Sequence, residues 1–355
     1  MATSIYEFVA SPEAQPRTVR QSASAALSAP RSRRPGQAPR VGVIYNPRSH
    51  GNQGADFDCG VCPQVHIATP EKRDALPKAL AQFARDGIDL LVINGGDGTV
   101  RDVLTCGHGI FADDWPAIAV LPKGKTNALT VDLGVPIDWS LQDAIAAFEA
   151  GGRVVRRPVA MCDLDQSTSS DVLGFLLGAG AFTHATKAGQ NAHRLGAFNS
   201  AVVAVTALWG TAQALFASRK NPWRRGARMA IALGKGRSAM AHSGAGDPAF
   251  RQLLIATTLE RLPAKLRPFG RLRTGLRMVA VDQVDRRTTA LLPLVALGKV
   301  QAGVRERGIH QLSLSEFTVV IDEPLIFDGE AFPAGHYRIA QGPALSFVTP
   351  STPTR

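Results

Sequence analysis

Leu90-Leu91-Val92-Ile93-Asn94-Gly95-Gly96-Asp97-Gly98-Thr99 is the stretch whose reading decides the fold. Four consecutive apolar residues predict a buried strand. The glycines then break it, and Thr99 to Cys106 reads as a short helix. The same grammar extends on both sides. Val41-Gly42-Val43-Ile44-Tyr45 is a strand stopped by the turn signal Asn46-Pro47. Thr69-Pro70-Glu71 has the order of a helix start: a capping hydroxyl, proline in the first turn, then an acid. Gly87 would end that helix. Ala117 to Leu121 reads as a third strand, and a helix over Ser140 to Ala150 stops at Gly151-Gly152. Strands alternating with helices predict a parallel sheet covered on both faces.

Ligands of such sheets bind beyond the carboxyl ends of the strands. Those ends carry Asn46-Pro47-Arg48-Ser49-His50-Gly51-Asn52-Gln53-Gly54, then Asn94 to Thr99, then Pro122-Lys123-Gly124-Lys125-Thr126-Asn127. Glycines expose backbone N–H groups and allow close approach, and a following helix adds its positive dipole end. Any one of these loops reads equally well as a plain turn. Three on one sheet edge read as an oxyanion or phosphate cradle.

The 355 residues are 45% hydrophobic and 19% charged, with a formal net charge of +11. This excludes a wholly disordered chain and suggests two domains of ordinary size. Four cysteines do not make a disulfide scaffold, so a reduced, cytoplasmic protein is the simplest expectation. Cys59-Gly60-Val61-Cys62 lacks a second pair and is weak as a zinc site. The positive excess sits in two blocks. Residues 1–40 carry six Arg against Glu7 and Glu13 and read as a disordered basic arm without a secretory apolar core. Residues 219–277 hold fourteen Lys and Arg against Asp247 and Glu260, with Trp223, Leu262, Leu266 and Phe269 interleaved. Cations mixed with apolar groups suit an anionic membrane surface. An ordinary solvated face is the plainer alternative. Nucleic acid is not expected, because no recognised binding motif accompanies the charge.

The motifs Asn46-Pro47-Arg48-Ser49, Gly95-Gly96-Asp97-Gly98-Thr99, Leu121 to Asn127 and Asp328-Gly329-Glu330 together resemble the diacylglycerol kinase catalytic-domain family. The resemblance spans roughly residues 41–350 and extends, in its nucleotide-binding half, to the NAD kinases. It implies ATP with Mg²⁺ and a lipid acceptor. Asn46 and Ser49 would line the nucleotide, and Thr69, after Val65-His66-Ile67, matches a threonine that contacts ATP in the family. Gly95, Gly96, Asp97, Gly98 and Thr99 would wrap the phosphates, with Asp97 near the metal or the reacting hydroxyl. Lys125, Thr126 and Asn127 continue the third loop. Asp328 and Glu330 lie where the family places its proton acceptor. Glu330 is the preferred base, and Asp97 stays in contention. Read alone, Asp328-Gly329 is also a hairpin turn signal.

Two positions depart from the family pattern. Lys125 stands where a threonine usually follows the glycine. Arg101-Asp102 stands where Asn-Glu is frequent, which argues against an NAD kinase-like activity and leaves room for a non-catalytic membrane-binding member.

From about residue 156 the pattern changes. Val172 to Phe182 is an apolar, glycine-rich run. Residues 197–217 step in helical periods with a thin polar stripe of Asn199, Thr206 and Gln213, which fits a helix buried between layers better than one in lipid. Short strand candidates follow at Leu253 to Leu259, Leu276 to Val281, Gln311 to Leu314, Thr318 to Ile321 and His336 to Ile339. Many short strands late in a chain favour an antiparallel sandwich. The expected organisation is an arm (1–40), an ATP-binding α/β domain (41–155) and a lipid-binding β-sandwich domain (156–350). The expected location is cytoplasmic and peripheral to the membrane, with a homodimer as a further assembly to test.

Overall fold

The computed structural model describes residues 38–53, 64–166, 171–186, 221–244 and 246–350. The predicted arm, the Cys59–Cys62 pair and the helix proposed at 197–217 lie outside them, apart from residues 38–40 of the arm.

The first half reads as β1 (Val41–Tyr45), β2 (Val65–Ala68), α1 (Leu76–Asp86), β3 (Leu90–Gly95), α2 (Asp97–Phe111), β4 (Ala117–Pro122), α3 (Ala128–Leu133), α4 (Leu141–Glu149) and β5 (Arg153–Arg156). β1 to β4 pair in parallel in the order β2-β1-β3-β4. Alternate residues of the strands face opposite layers, as a period of two requires. Leu91, Ile93, Ile118 and Val120 pack with Leu80 and Phe83 of α1 and Val103 and Leu104 of α2. Leu90, Val92, Ala117 and Ala119 pack with Leu141, Ala144 and Phe148 of α4. Both faces are thus covered, which is why these strands read as unbroken apolar runs.

Three elements of this half differ from expectation. The helix expected from Thr69 begins at Leu76, after a single 3-10 turn, with Pro77 in its first turn. Proline lacks only an N–H that the first turn leaves unpaired, so Pro77 marks the start of α1 and does not interrupt it. α2 starts on Asp97 and continues to Phe111, where burial of Val103, Leu104 and Phe111 sustains its later turns. α3 follows the third loop and was not anticipated. α4 starts as predicted, with a reciprocal capping box between Ser140 and Asp143.

The second half comprises β6 (Val159–Asp163), β7 (Val172–Gly174), β8 (Leu176–Gly180), the single turn α5 (Pro222–Arg225), β9 (Ala227–Leu233), β10 (Ser238–Ala239), β11 (Phe250–Thr257), β12 (Leu276–Asp282), α6 (Arg286–Ala296), β13 (Ile309–Leu314), β14 (Glu316–Ile321), β15 (Leu325–Phe327), β16 (Glu330–Phe332), β17 (Gly335–Gln341) and β18 (Leu345–Val348). Twelve of these strands form one antiparallel sheet running β16-β15-β8-β11-β9-β14-β17-β6-β7, with β10, β12 and β13 paired at its margins. β9 and β11 share only two residue pairs, Arg228–Phe250 and Ala227–Arg251, and the sheet turns there. Leu177, Leu254 and Met278 from one side of this corner meet Met161, Met229, Phe317 and Ile339 from the other in one core. The sheet therefore folds over itself, as a sandwich does.

β18 leaves this arrangement. It returns to the first sheet and lies between β4 and β5, parallel to one and antiparallel to the other. The stretch 156–350 is therefore not one continuous second unit. Phe347 is fully buried and packs edge-on against Phe175, 6.1 Å between ring centres. No helix among the described residues is long and apolar enough to cross a membrane.

Candidate active site

The carboxyl ends of β1, β3 and β4 lie side by side, and their loops are bonded to one another. Asn46 N–H donates to the Asn94 carbonyl (3.0 Å), and Asn46 Nδ2 donates to Thr99 Oγ1 (2.8 Å). Asn46 Oδ1 accepts from Arg48 N–H (3.0 Å), and Ser49 N–H donates to the Asn46 carbonyl (3.1 Å). Beneath them, buried Asn52 donates through Nδ2 to the Asn46 carbonyl and to Asn94 Oδ1, both at 2.8 Å. Gly51 N–H reaches the Lys123 carbonyl at 2.9 Å, joining the first loop to the third. Asn46 and Ser49 thus belong to one bonded network with Asn52 and Asn94. Those two asparagines were visible in the loops but not singled out.

The second and third loops touch backbone to backbone at Gly96 and Gly124. A Cβ on Gly96 would lie 2.8 Å from Gly124 Cα, and one on Gly124 would lie 2.7 Å from Gly96 Cα. Only glycine fits at either position without moving a loop. Asn127 ends the third loop with a left-handed φ of 51°. Its side chain clamps Gly124 on both sides, accepting from Gly124 N–H (2.8 Å) and donating to its carbonyl (2.9 Å). Asparagine tolerates this backbone region and bonds locally within it. Lys125 and Thr126 are exposed at the tip, and the space beside Gly98 is open. Thr69 lies past β2, exposed, with β1 between it and the Gly95–Gly96 loop.

Asp97 is the first residue of α2, yet its carboxylate turns to α3, accepting from Ala128 N–H at 2.8 Å. Burial pushes its carboxyl up to about 6, against the pull of several α3 backbone N–H groups. The second sheet supplies the opposite wall. Asp328 and Gly329 form the tight turn between β15 and β16, with φ of 44° and 81° and Phe327 paired to Glu330. Both signs are those of a type I′ hairpin. Asp328 is also bonded to the sheet, accepting from Phe175 N–H and Leu176 N–H at 2.9 Å each. Burial first, and then the neighbouring charge of Asp97, push the Asp328 carboxyl up to about 7. Asp328-Gly329 is therefore the hairpin turn expected from sequence, and it faces Asp97 across the gap between the two sheets.

Arg101, taken from sequence as a departure from the family, lies at the centre of this wall. It is 2% exposed and forms an ion pair with Glu330. It also bonds Asp102 (2.9 Å) and the Phe327 carbonyl (3.3 Å). Burial opposes its charge, but Asp102, Glu330 and Asp328 outweigh that and raise its pKa. One α2 side chain thus locks the second sheet's hairpin onto the glycine loop. Glu330, preferred from sequence as the proton acceptor, is ion-paired with this guanidinium.

These residues suit a triphosphate and a small hard cation. The glycine contact leaves backbone without side chains beside an open edge. Asp97 and Asp328 give two carboxylates near enough to perturb each other. No cluster of three or more His, Cys, Asp or Glu side chains fit to hold a metal occurs among the described residues.

Residues 40–160 match the family model described as the diacylglycerol kinase catalytic domain. The lipid kinase YegS of Escherichia coli (strain K12) is 34% identical over 85 residues, 23% of this chain and 28% of that protein. The match thus spans little more than a quarter of that relative's length. The fold likeness is wider. A diacylglycerol kinase structure from Bacillus anthracis str. Sterne superposes with a TM-score of 0.55 at 16% identity, covering 89% of this chain and 97% of that one. Another chain from the same organism gives 0.59 at 16% identity over 89% and 98%.

Proposed function

We propose that the protein is an ATP- and Mg²⁺-dependent lipid kinase that phosphorylates a hydroxyl of a diacylglycerol-like or sphingoid-type lipid. The observation that carries this reading is the meeting of two walls. A glycine-lined loop edge faces a hairpin that carries Asp328 and Glu330 from a separate sheet. Phosphoryl transfer asks mainly for positioning and charge neutralisation, with an acceptor for the alcohol proton. Bound Mg·ATP would supply the phosphoryl group and most of the cationic stabilisation. The chain's own part is to hold the phosphates against the Gly95–Thr99 and Lys123–Asn127 backbones and to aim the acceptor. Asp97 and Asp328 would hold the cation. Glu330 would take the proton of the lipid hydroxyl, and Arg101 would fix its carboxylate in place.

Exposed basic residues of the block, among them Arg228, Lys235, Arg237 and Arg271, would meet the anionic membrane that presents the substrate and keep the enzyme peripheral to it, whereas Arg251 and Arg277 are buried. Trp223, Arg224 and Arg225 stand together at α5 beside Arg228, in keeping with that role.

The test is transfer of labelled phosphate from ATP to a panel of lipids in mixed micelles, resolved by thin-layer chromatography. Product from at least one lipid hydroxyl is expected, falling by ~10²-fold or more in Glu330→Gln. A smaller effect in Glu330→Gln than in Asp97→Asn moves the base to Asp97. ATP turnover on NAD without lipid would replace the proposal with an NAD kinase-like one, and no turnover on any acceptor would leave a binding protein.

A further inference from the structure

Away from the loop edge, a cavity of about 470 Å³ opens between α3 and the segment joining β11 to β12. Val131 of α3 forms one side. The other carries Arg261, Lys265, Arg267 and Arg273, all exposed, and the ring of Phe269. Arg277 closes the bottom. It is 3% exposed, and its guanidinium stacks over the Phe269 ring at 4.8 Å. Its Nη1 donates to the Leu272 carbonyl at 3.3 Å, while Nε and Nη2 are buried and lack a hydrogen-bond partner. A buried guanidinium with two unused donors is costly unless something fills them. The segment is also shaped at a cost, because Ala264 and Lys265 both adopt left-handed backbone, each with φ of 55°.

Asp132 and Glu260, the latter lining the cavity, favour the Arg277 charge from nearby but do not outweigh its burial. Asp132 is committed to Arg156 Nε (2.8 Å) and to Arg261 N–H (2.6 Å), and Glu260 pairs with Arg156 at 3.1 Å.

We infer that this cavity binds a phosphate-type oxyanion, either free phosphate or the phosphate of an anionic lipid headgroup, on the buried Arg277 guanidinium. Arg261, Lys265, Arg267 and Arg273 draw the anion in, and Arg277 supplies the two donors that fix it. Planar guanidinium donors match phosphate oxygens in pairs. Phe269 and the neighbouring leucines offer apolar contact to whatever the phosphate is attached to. The wall at Val131 belongs to α3, whose first N–H holds the Asp97 carboxylate. An anion here therefore bears on an element that also shapes the loop edge.

The site does not rest on the kinase reading, and its test uses the full chain without nucleotide. Calorimetric titration with sodium phosphate is run beside co-sedimentation with vesicles of phosphatidylglycerol or of phosphatidylcholine. Saturable phosphate binding, at least ~10-fold weaker in Arg277→Met, identifies a free-anion site. Binding to phosphatidylglycerol vesicles alone, with the same dependence, identifies a headgroup site. Should Arg277→Met fail to fold, the exposed double variant Lys265→Ala/Arg273→Ala gives the same reading with a several-fold loss. Lys78→Ala, on the exposed face of α1, serves as the control and is expected to bind like wild type. No phosphate binding together with no preference for phosphatidylglycerol overturns the inference. So does binding that neither Arg277→Met nor the double variant weakens.

Discussion

Replacing Arg101 by methionine removes the cation that joins the two walls of the candidate site while keeping an unbranched stem of similar length. Asp102 is 1% exposed and Glu330 16% exposed, so two carboxylates lose their partner where water reaches one poorly and the other only in part. Breaking a buried ion pair from one side costs ~3–5 kcal/mol, because the abandoned charge stays buried. Glu330 can turn partly to solvent, which places the expected loss near ~3–4 kcal/mol. For a chain of this length that is a fall in melting temperature of about 4–5 °C, read by calorimetry or circular dichroism. Glu330→Gln leaves Arg101 bonded to Asp102, so it should cost less stability while costing more activity. Adding Asp102→Asn to Arg101→Met should recover part of the stability, since neighbours in one network are not additive. A stability for Arg101→Met within about 0.5 kcal/mol of wild type would refute the reasoning. It would show that Asp102 and Glu330 are not held by this guanidinium in solution.

Gly96→Ala and Gly124→Ala should each push the second and third loops apart and weaken ATP binding by at least ~10-fold, measured by equilibrium titration, for ~1–3 kcal/mol of stability. Asp97 and Asp328, raised to about 6 and about 7, are more readily protonated folded than unfolded. Their contribution to stability is full below about pH 4 and is lost as pH rises through 6 to 7. Thermal melts of the nucleotide-free protein from pH 5 to 8 should show that decline, and a profile unchanged in Asp97→Asn/Asp328→Asn would contradict it. Charge reversal at Arg224, Arg225 and Arg228 should weaken binding to anionic vesicles more than turnover of a soluble short-chain lipid. Equal loss in both assays would assign these residues a structural role.

The parallel sheet was legible because its strands are buried on both faces and its loops carry glycine and asparagine at each strand end. Each of those signals is local. Asp328-Gly329 was legible in the same way, since a two-residue turn needs no distant partner to announce itself. Arg101 was not. Its meaning depends on Glu330 and on the Phe327 carbonyl, 226 residues further along the chain. From sequence alone, an arginine in an apolar helix is only a departure. α3 escaped notice because six residues are too few to set up a period, and it is held by Asp97, a residue of another element. Arg277 looked like one more member of a basic run. Burial separates it from its exposed neighbours, and burial is a property of the folded chain.

The placement of β18 has a consequence for how the molecule is made. Its last strand lies between β4 and β5 of its first sheet, and Phe347 is sealed into the core there. A ribosome that has released residues 41–156 has delivered every loop of the glycine edge. It has not delivered the strand that covers the β4 flank. Until Leu345–Val348 emerges, β4 presents an open hydrogen-bonding edge, the kind of surface on which nascent chains pair wrongly. Nearly two hundred residues must be synthesised before that seam closes. Maturation of the first sheet is thereby tied to completion of the second half, and a chain stopped short of Leu345 should reach chaperones and proteases before that sheet is closed.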